Sequence, residues 1–213
     1  MKKTDRRDPK GRIFDAAVKL FARKGYAAVG VRQIARKADV NIAMISYYYD
    51  GKVGLLKEII DQFHLRYLEV LLSGVDGDKS PEDMGRSVVK NMVKFIRQNT
   101  ELAIAAFHAL PLDIPEIAKF KAEKVTTLLR SAKGILQQFG INDDDPVQIV
   151  AIGPSLIAII LTHFRFRPVQ EKVFNVKFDD EFYEKFADTV ATLFLHGING
   201  VAARSNKNIR RKA

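Results

Sequence analysis

Apolar residues return every three or four positions along nearly the whole chain, and no stretch alternates convincingly. That rhythm matches the 3.6-residue turn of an α-helix and excludes the two-residue repeat of a strand. The chain is therefore expected to be all-α. Ile13, Ala16, Ala17, Leu20 and Phe21 form the first stripe, with Lys10, Arg12, Lys19 and Arg23 off it. Pro9 suits the first turn of that helix and Gly25 its end. A short helix is expected over about 31–37, with Ile34, Ala35 and Ala38 inward, before a turn at Asp39-Val40. Asn41 can cap a second short helix over 42–48. Asp50-Gly51 ends it. A long helix over about 52–72 then carries Leu55, Leu56, Ile59, Ile60, Phe63, Tyr67 and Leu71 on one face. Two short helices joined by a tight turn and packed on a longer one make a helix-turn-helix.

Beyond the turn-rich SGVDGDKSPED, Ser80-Pro81-Glu82-Asp83 reads as a helix start. Helices are expected at about 81–98, 100–109, 115–139, 146–164 and 179–203, with 165–178 irregular. The apolar run 149–161 is too short to span a bilayer, so it reads as a buried helix and no membrane is expected.

Charge sharpens this division. The 213 residues carry a net charge of +10, and it is segregated. Residues 1–57 hold fourteen Lys and Arg against five Asp and Glu, a balance of +9. Residues 58–203 hold sixteen against twenty, −4, and the last ten residues hold five basic and no acidic groups, +5. A small cationic module attached to an acidic body is the pattern of a protein that meets a polyanion. There is no cysteine, which excludes disulfides and thiolate chemistry and suits a reducing interior. The start, MKKTDRRDPKGR, lacks a secretory apolar core, so a cytoplasmic location is expected.

The tyrosines Tyr47, Tyr48 and Tyr49 lie just before Asp50-Gly51-Lys52. With R-I-F-D-A-A-x-x-L-F at 12–21, G-Y at 25–26, V-R-Q-I-A at 31–35, A-D-V-N at 38–41 and I-S-Y-Y-Y-D-G-K-x-G-L at 45–55, they make the first fifty-six residues resemble the DNA-binding domain of the TetR family of transcriptional regulators. The resemblance implies an N-terminal three-helix DNA-binding domain at 1–56, a C-terminal helical ligand-binding and dimerisation domain at 57–203, and a basic, disordered tail at 204–213. The second short helix would enter the major groove. Asn41, Ile42, Ala43, Met44 and Ser46 would then face base edges. Tyr47, Tyr48 and Lys52 would meet the backbone, with Arg32 and Gln33 as further contacts. Tyr49 would mainly pack. Lys2, Lys3, Arg6 and Arg7 could form a basic arm. The chain departs from the family where Val29 and Gly30 replace residues that are often hydroxylated, and Gly30 remains an adequate cap.

The resemblance further implies a homodimer built through the helices at 146–164 and 179–203, bound to a palindromic double-stranded operator. It implies a small apolar or aromatic effector among the central helices, with Phe95, Phe107, His108, Phe120, Leu128, His163 and Phe164 as candidate lining. A ligand-released repressor is the expected function, and an architectural DNA-binding protein without effector is the alternative. No phosphate loop, nucleophile elbow or acid pair points to an enzyme. Asp143-Asp144-Asp145 reads as a cap before Pro146. The histidines His64, His108, His163 and His196 are scattered, so neither a metal nor another cofactor is expected.

Overall fold

The computed structural model describes residues 8–74, 78–107, 110–139, 141, 145–152 and 154–210, and among them it contains helices and no strand. The helices are α1 (Pro9–Lys24), α2 (Val31–Ala38), α3 (Ala43–Tyr49), α4 (Gly51–Ser73), α5 (Pro81–Gln98), α6 (Thr100–Phe107), α7 (Pro115–Gln138), α8 (Pro146–Ile152), α9 (Ser155–Phe174) and α10 (Asp180–Arg210). The all-α class read from the periodicity is correct. The basic arm before Asp8, His108 and Asp143-Asp144 lie outside the described residues.

The chain divides into two compact units. The first contains residues up to Arg66 together with Asn99–Leu129. In it α1 packs on α2, α3 and α6. Asp8 starts α1 by accepting the Gly11 N–H at 2.7 Å, and Gly25 stops it with its N–H on the Phe21 carbonyl at 2.9 Å. Ile13, Phe21, Ile34, Ile45, Leu55, Leu56, Ile59, Ile60 and Phe63 are fully buried and form the core. Each such side chain contributes roughly 1.5–3 kcal/mol by leaving water. Ala103, Ala105 and Ala106 on α6 are also fully buried, small enough to let α1 approach closely. The turn between α3 and α4 is tight. Asp50 and Gly51 both have positive φ, at 55° and 84°. A Cβ at Gly54 would stand 1.7 Å from the Tyr49 carbonyl oxygen, so only glycine permits this junction.

The second unit contains Tyr67–Gln98 and the chain from Arg130 onward. α5 packs its stripe of Met84, Val88, Val89, Met92, Val93 and Ile96 on α10 and α9. Ion pairs run down the α5–α10 seam, Arg86–Asp188 at 3.0 Å, Lys90–Glu184 at 2.7 Å and Arg97–Asp180 at 2.8 Å. A Cβ at Gly85 would press on Leu195 and the Phe139 ring at 3.0 and 3.2 Å, which explains a glycine inside this helix. Ser80 caps α5 as read: its Oγ accepts the Asp83 N–H at 3.1 Å.

The structure departs from several of these expectations. The single helix expected over 146–164 is two, α8 and α9, because Pro154 has no N–H to continue the ladder. The stretch 165–178, expected to be irregular, is helical to Phe174 and ends on Asn175 in the left-handed region. Pro168 sits inside that helix. The Arg167–Glu171 pair at 2.9 Å spans the proline, and the upstream burial of Leu156, Ile157, Ile160 and Leu161 supports the helix it interrupts. The run 149–161, read as buried, is buried in part: Leu156, Ile157, Ile160 and Leu161 are buried, whereas Val150 faces solvent. Outside that run, Val147 on α8 and Phe166, Val169, Val173 and Phe174 on α9 face solvent as well. The stretch 146–174 is apolar and long enough to cross a membrane by length and composition, although Pro154 divides it. The backbone of α10 stays helical to Arg210, apart from a break at Gly197, so the basic stretch read as a tail begins within a helix.

Candidate nucleic-acid interface

α2 and α3 are placed by small local devices. Gly30, extended at φ −95° and ψ 155°, begins α2, and its N–H donates to Gln33 Oε1 at 3.3 Å. Asp39 ends α2 in the left-handed conformation at φ 53°. Asn41 Oδ1 accepts the Ala43 N–H at 2.9 Å, the capping role read from the sequence. The carbonyl oxygens of Asn41 and Gln33 are engaged locally, so each side chain offers its amide NH₂, a donor suited to phosphate oxygens and base acceptors.

α3 buries Ile45 and Tyr49 and leaves Asn41, Ile42, Ala43, Ser46 and Tyr47 exposed on one side. Met44 and Tyr48 are half-buried. Tyr47 is 82% exposed, an unusual position for a large ring, and stands edge-on to Tyr48 with centroids 5.0 Å apart. Tyr49 differs. Its ring is buried and its hydroxyl donates to the Lys10 carbonyl at 2.7 Å, tying α3 to α1. Burial, helped by Glu58 and Asp8, pushes that phenol far above its usual pKa. Three adjacent tyrosines therefore occupy three environments, as their 100° spacing on a helix demands.

Lys52 lies in the first turn of α4, with its ammonium 3.8 Å from the centre of the Tyr26 ring. Partial burial lowers its pKa. The contact holds the charge in place without neutralising it. Arg32 on α2 is exposed, and so are Arg36 and Lys37 in its last turn.

Arg12 is the residue that sequence reasoning missed. Read as a surface charge beside the α1 stripe, it reaches across to the end of α2. One nitrogen, Nη1, donates to the carbonyls of Ala38 and Asp39, both at 3.0 Å, and stands 3.9 Å from the Asp39 carboxylate. It thereby satisfies carbonyls left open at the helix end and fixes the turn that aims α3. The partners are 26 and 27 residues away, and no local pattern reports such a contact.

The candidate effector-lining residues fall into two groups. Phe107, Phe120 and Leu128 belong to the first unit, and Phe95, His163 and Phe164 to the second. His163 sits in a ring cluster with Phe164, Phe178, Phe182, Tyr183 and Phe186, at centroid distances of 4.5 to 5.7 Å. Burial lowers its pKa, and Gln170 opposes the shift. Among the described residues no group of His, Cys, Asp and Glu can hold a metal ion.

The family model for bacterial regulatory proteins of the tetR family matches residues 13–59. A probable helix-turn-helix transcriptional regulator of Bacillus subtilis, YttP, is 31% identical over 131 residues, 60% of this chain and 61% of the relative. The match thus spans about three fifths of that relative's length. Among solved structures, the fatty acid degradation regulator FadR of Bacillus halodurans superposes with a TM-score of 0.70 at 19% identity, covering 92% of this chain and 98% of its own. FadR of Bacillus subtilis in complex with stearoyl-CoA does so with a TM-score of 0.63 at 20% identity, covering 88% and 98%. At such identities the structures show a shared fold. With the helix-turn-helix geometry and the family match over its residues, the chain carries at 13–59 the N-terminal region of the tetR family of bacterial regulatory proteins.

Proposed function

We propose that this protein is a homodimeric, cytoplasmic transcriptional repressor, released from a palindromic operator by a small-molecule effector. The observation that carries the reading is the outer side of α3. Asn41, Ile42, Ala43, Ser46 and Tyr47 face solvent together, and Lys52 follows on α4 within the 1–57 segment of net charge +9. Apolar Ile42 and Ala43 suit thymine methyls, and the amide of Asn41 suits base or phosphate acceptors. Tyr47, Tyr48, Lys52, Arg32 and Gln33 hold the module on the sugar-phosphate backbone. The DNA-binding module is residues 1–56, and the remainder to 203 binds effector and partner.

The exposed apolar side chains of α8 and α9 support dimerisation, because a chain rarely leaves so many in water without a partner for them. Two modules then address two half-sites. An effector acts only by binding better to a conformation in which the modules are wrongly separated. α4 carries residues of both compact units and is the natural lever. One fold neighbour holds stearoyl-CoA, which puts long-chain acyl compounds first among the apolar effectors to try.

The test is binding to DNA upstream of the protein's own gene against random DNA at fixed salt. A specific site with two-fold symmetry, lost on adding effector, is the expected result. Salt-sensitive binding that is blind to sequence would overturn the reading in favour of an architectural role.

A further inference from the structure

We infer that Lys121 on α7 anchors the anionic head of the effector, so that the ligand is an amphiphile with a carboxylate or phosphate next to an apolar body. This rests on the effector reading above and names the ligand class. The argument begins with three lysines of the first unit. Lys57 is paired with Glu116, and Lys124 with Asp61. Among the described residues Lys121 pairs with no carboxylate. Its neighbours are neutral: His64 Nε2 at 3.2 Å, the Ala106 carbonyl at 3.4 Å and the Phe107 ring at 5.1 Å.

His64 is buried on α4, and its Nδ1 lies 2.8 Å from the Ile60 carbonyl. That oxygen can only accept, so Nδ1 carries the proton and Nε2 presents a lone pair to the ammonium. Burial, then Lys121, drives the imidazole pKa down to about 4, keeping it neutral. Burial alone lowers Lys121 to about 8. An ammonium has three N–H donors, and His64 and Ala106 take two. A desolvated cation resting on neutral groups is costly, and an anion delivered by a ligand removes that cost. Phe107 provides apolar surface beside the charge. Phe120, another candidate lining residue, has the ammonium groups of Lys57 and Lys124 at 5.6 and 5.1 Å from its ring centre.

Three probes of one chain length separate the possibilities: stearate, stearoyl-CoA and uncharged octadecanol. Thermal shift and operator release are measured on wild type, Lys121→Met and Lys121→Arg. At least one anion should stabilise the wild type and release it from DNA. Lys121→Met should weaken that anion about tenfold or more and leave octadecanol unchanged, while Lys121→Arg retains binding. Which anion works separates a free carboxylate from a phosphate-bearing thioester. Without ligand, Lys121→Met should melt no lower than wild type, since it removes a part-buried charge that has no anionic partner among the described residues. Undiminished anion binding by Lys121→Met overturns the inference, and so does a lower melting point of the unliganded variant, which marks a structural lysine. Release by octadecanol alone overturns the anchor but leaves the effector reading intact. If no probe binds, the inference falls, and the effector reading stands or falls on operator release by other compounds.

Discussion

α3 and α9 both expose large apolar side chains, yet their chemistry suits different partners. On α3, Ile42 and Tyr47 are interleaved with Asn41 and Ser46, and Lys52 lies just beyond. On α9, Phe166, Val169, Val173 and Phe174 join Val147 and Val150 of α8 in a larger apolar set. The first pattern offers donors, hydroxyls and positive charge to a wet, anionic groove. The second offers mainly hydrocarbon, which gains by being covered with more hydrocarbon. Apolar exposure alone therefore names no partner, and the polar atoms set among the exposed side chains decide it.

Charge placed on the α9 face should have the largest effect. Val169→Asp with Val173→Asp should convert a dimer to a monomer in sedimentation, with helix content unchanged because both sites are exposed. Operator affinity should fall by roughly 100-fold or more, since two linked modules gain about 10²–10⁴ over one. A dimer that persists would remove α9 from the interface.

Removing Arg12 tests whether the α3 face must be aimed as well as composed. Arg12→Leu loses two hydrogen bonds to the end of α2 and should weaken operator binding by about 10-fold, since orphaning the part-buried Ala38 carbonyl costs about 1–3 kcal/mol while the exposed Asp39 carbonyl can turn to water. Because the role is positional, the slope of log K against log salt should match wild type. A slope smaller by about one per half-site would mean that Arg12 touches phosphate instead.

Tyr47 and Lys52 give smaller effects of opposite character. Tyr47→Ala should cost about 10-fold in operator affinity, near 1.4 kcal/mol, with an unchanged melting point. Tyr47→Phe, which keeps the ring, separates a hydroxyl contact from ring packing. Lys52→Gln should cost only a few-fold at moderate salt but reduce the salt slope by about one per half-site. If Tyr26→Leu reproduces the Lys52→Gln loss, the ring contact at 3.8 Å holds the ammonium in place for phosphate.

Much of this was legible in sequence for physical reasons. The stripes of α1, α4 and α5, the Ser80 and Asn41 caps and the turn at Asp50-Gly51 are local, set by side chains within four residues of where they act. What was hidden is non-local. Arg12 looks like any solvated charge until the end of α2 is placed beside it. The stretch 165–178 reads as irregular, yet burial upstream and an ion pair across Pro168 keep α9 helical to Phe174. Periodicity also says that Phe95, Phe107 and Phe164 turn inward, but not that Phe107 belongs to one compact unit and the other two to another.

The smallest effect probes the helix that supports α3 and should leave α9 and the dimer untouched. Gly30 begins α2 at φ −95°, a conformation open to any L-residue, and a Cβ there would meet nothing within 4 Å. Replacing glycine reduces the freedom of the unfolded chain whatever side chain is introduced. Serine adds a hydroxyl that can accept an N–H of the first turn, closing a reciprocal cap with the existing Gln33 contact. Alanine adds none. Gly30→Ser should therefore stabilise by a few tenths of a kcal/mol, while Gly30→Ser and Gly30→Ala should differ by about 1 kcal/mol in chemical denaturation. The difference between the two variants cancels the unfolded-state gain and isolates the cap. Equal stabilities would show that α2 is held by Arg12 and the core rather than by its own first turn. A rise in operator affinity for serine alone would place this helix start against a phosphate, extending the wet face of α3 by one residue of α2.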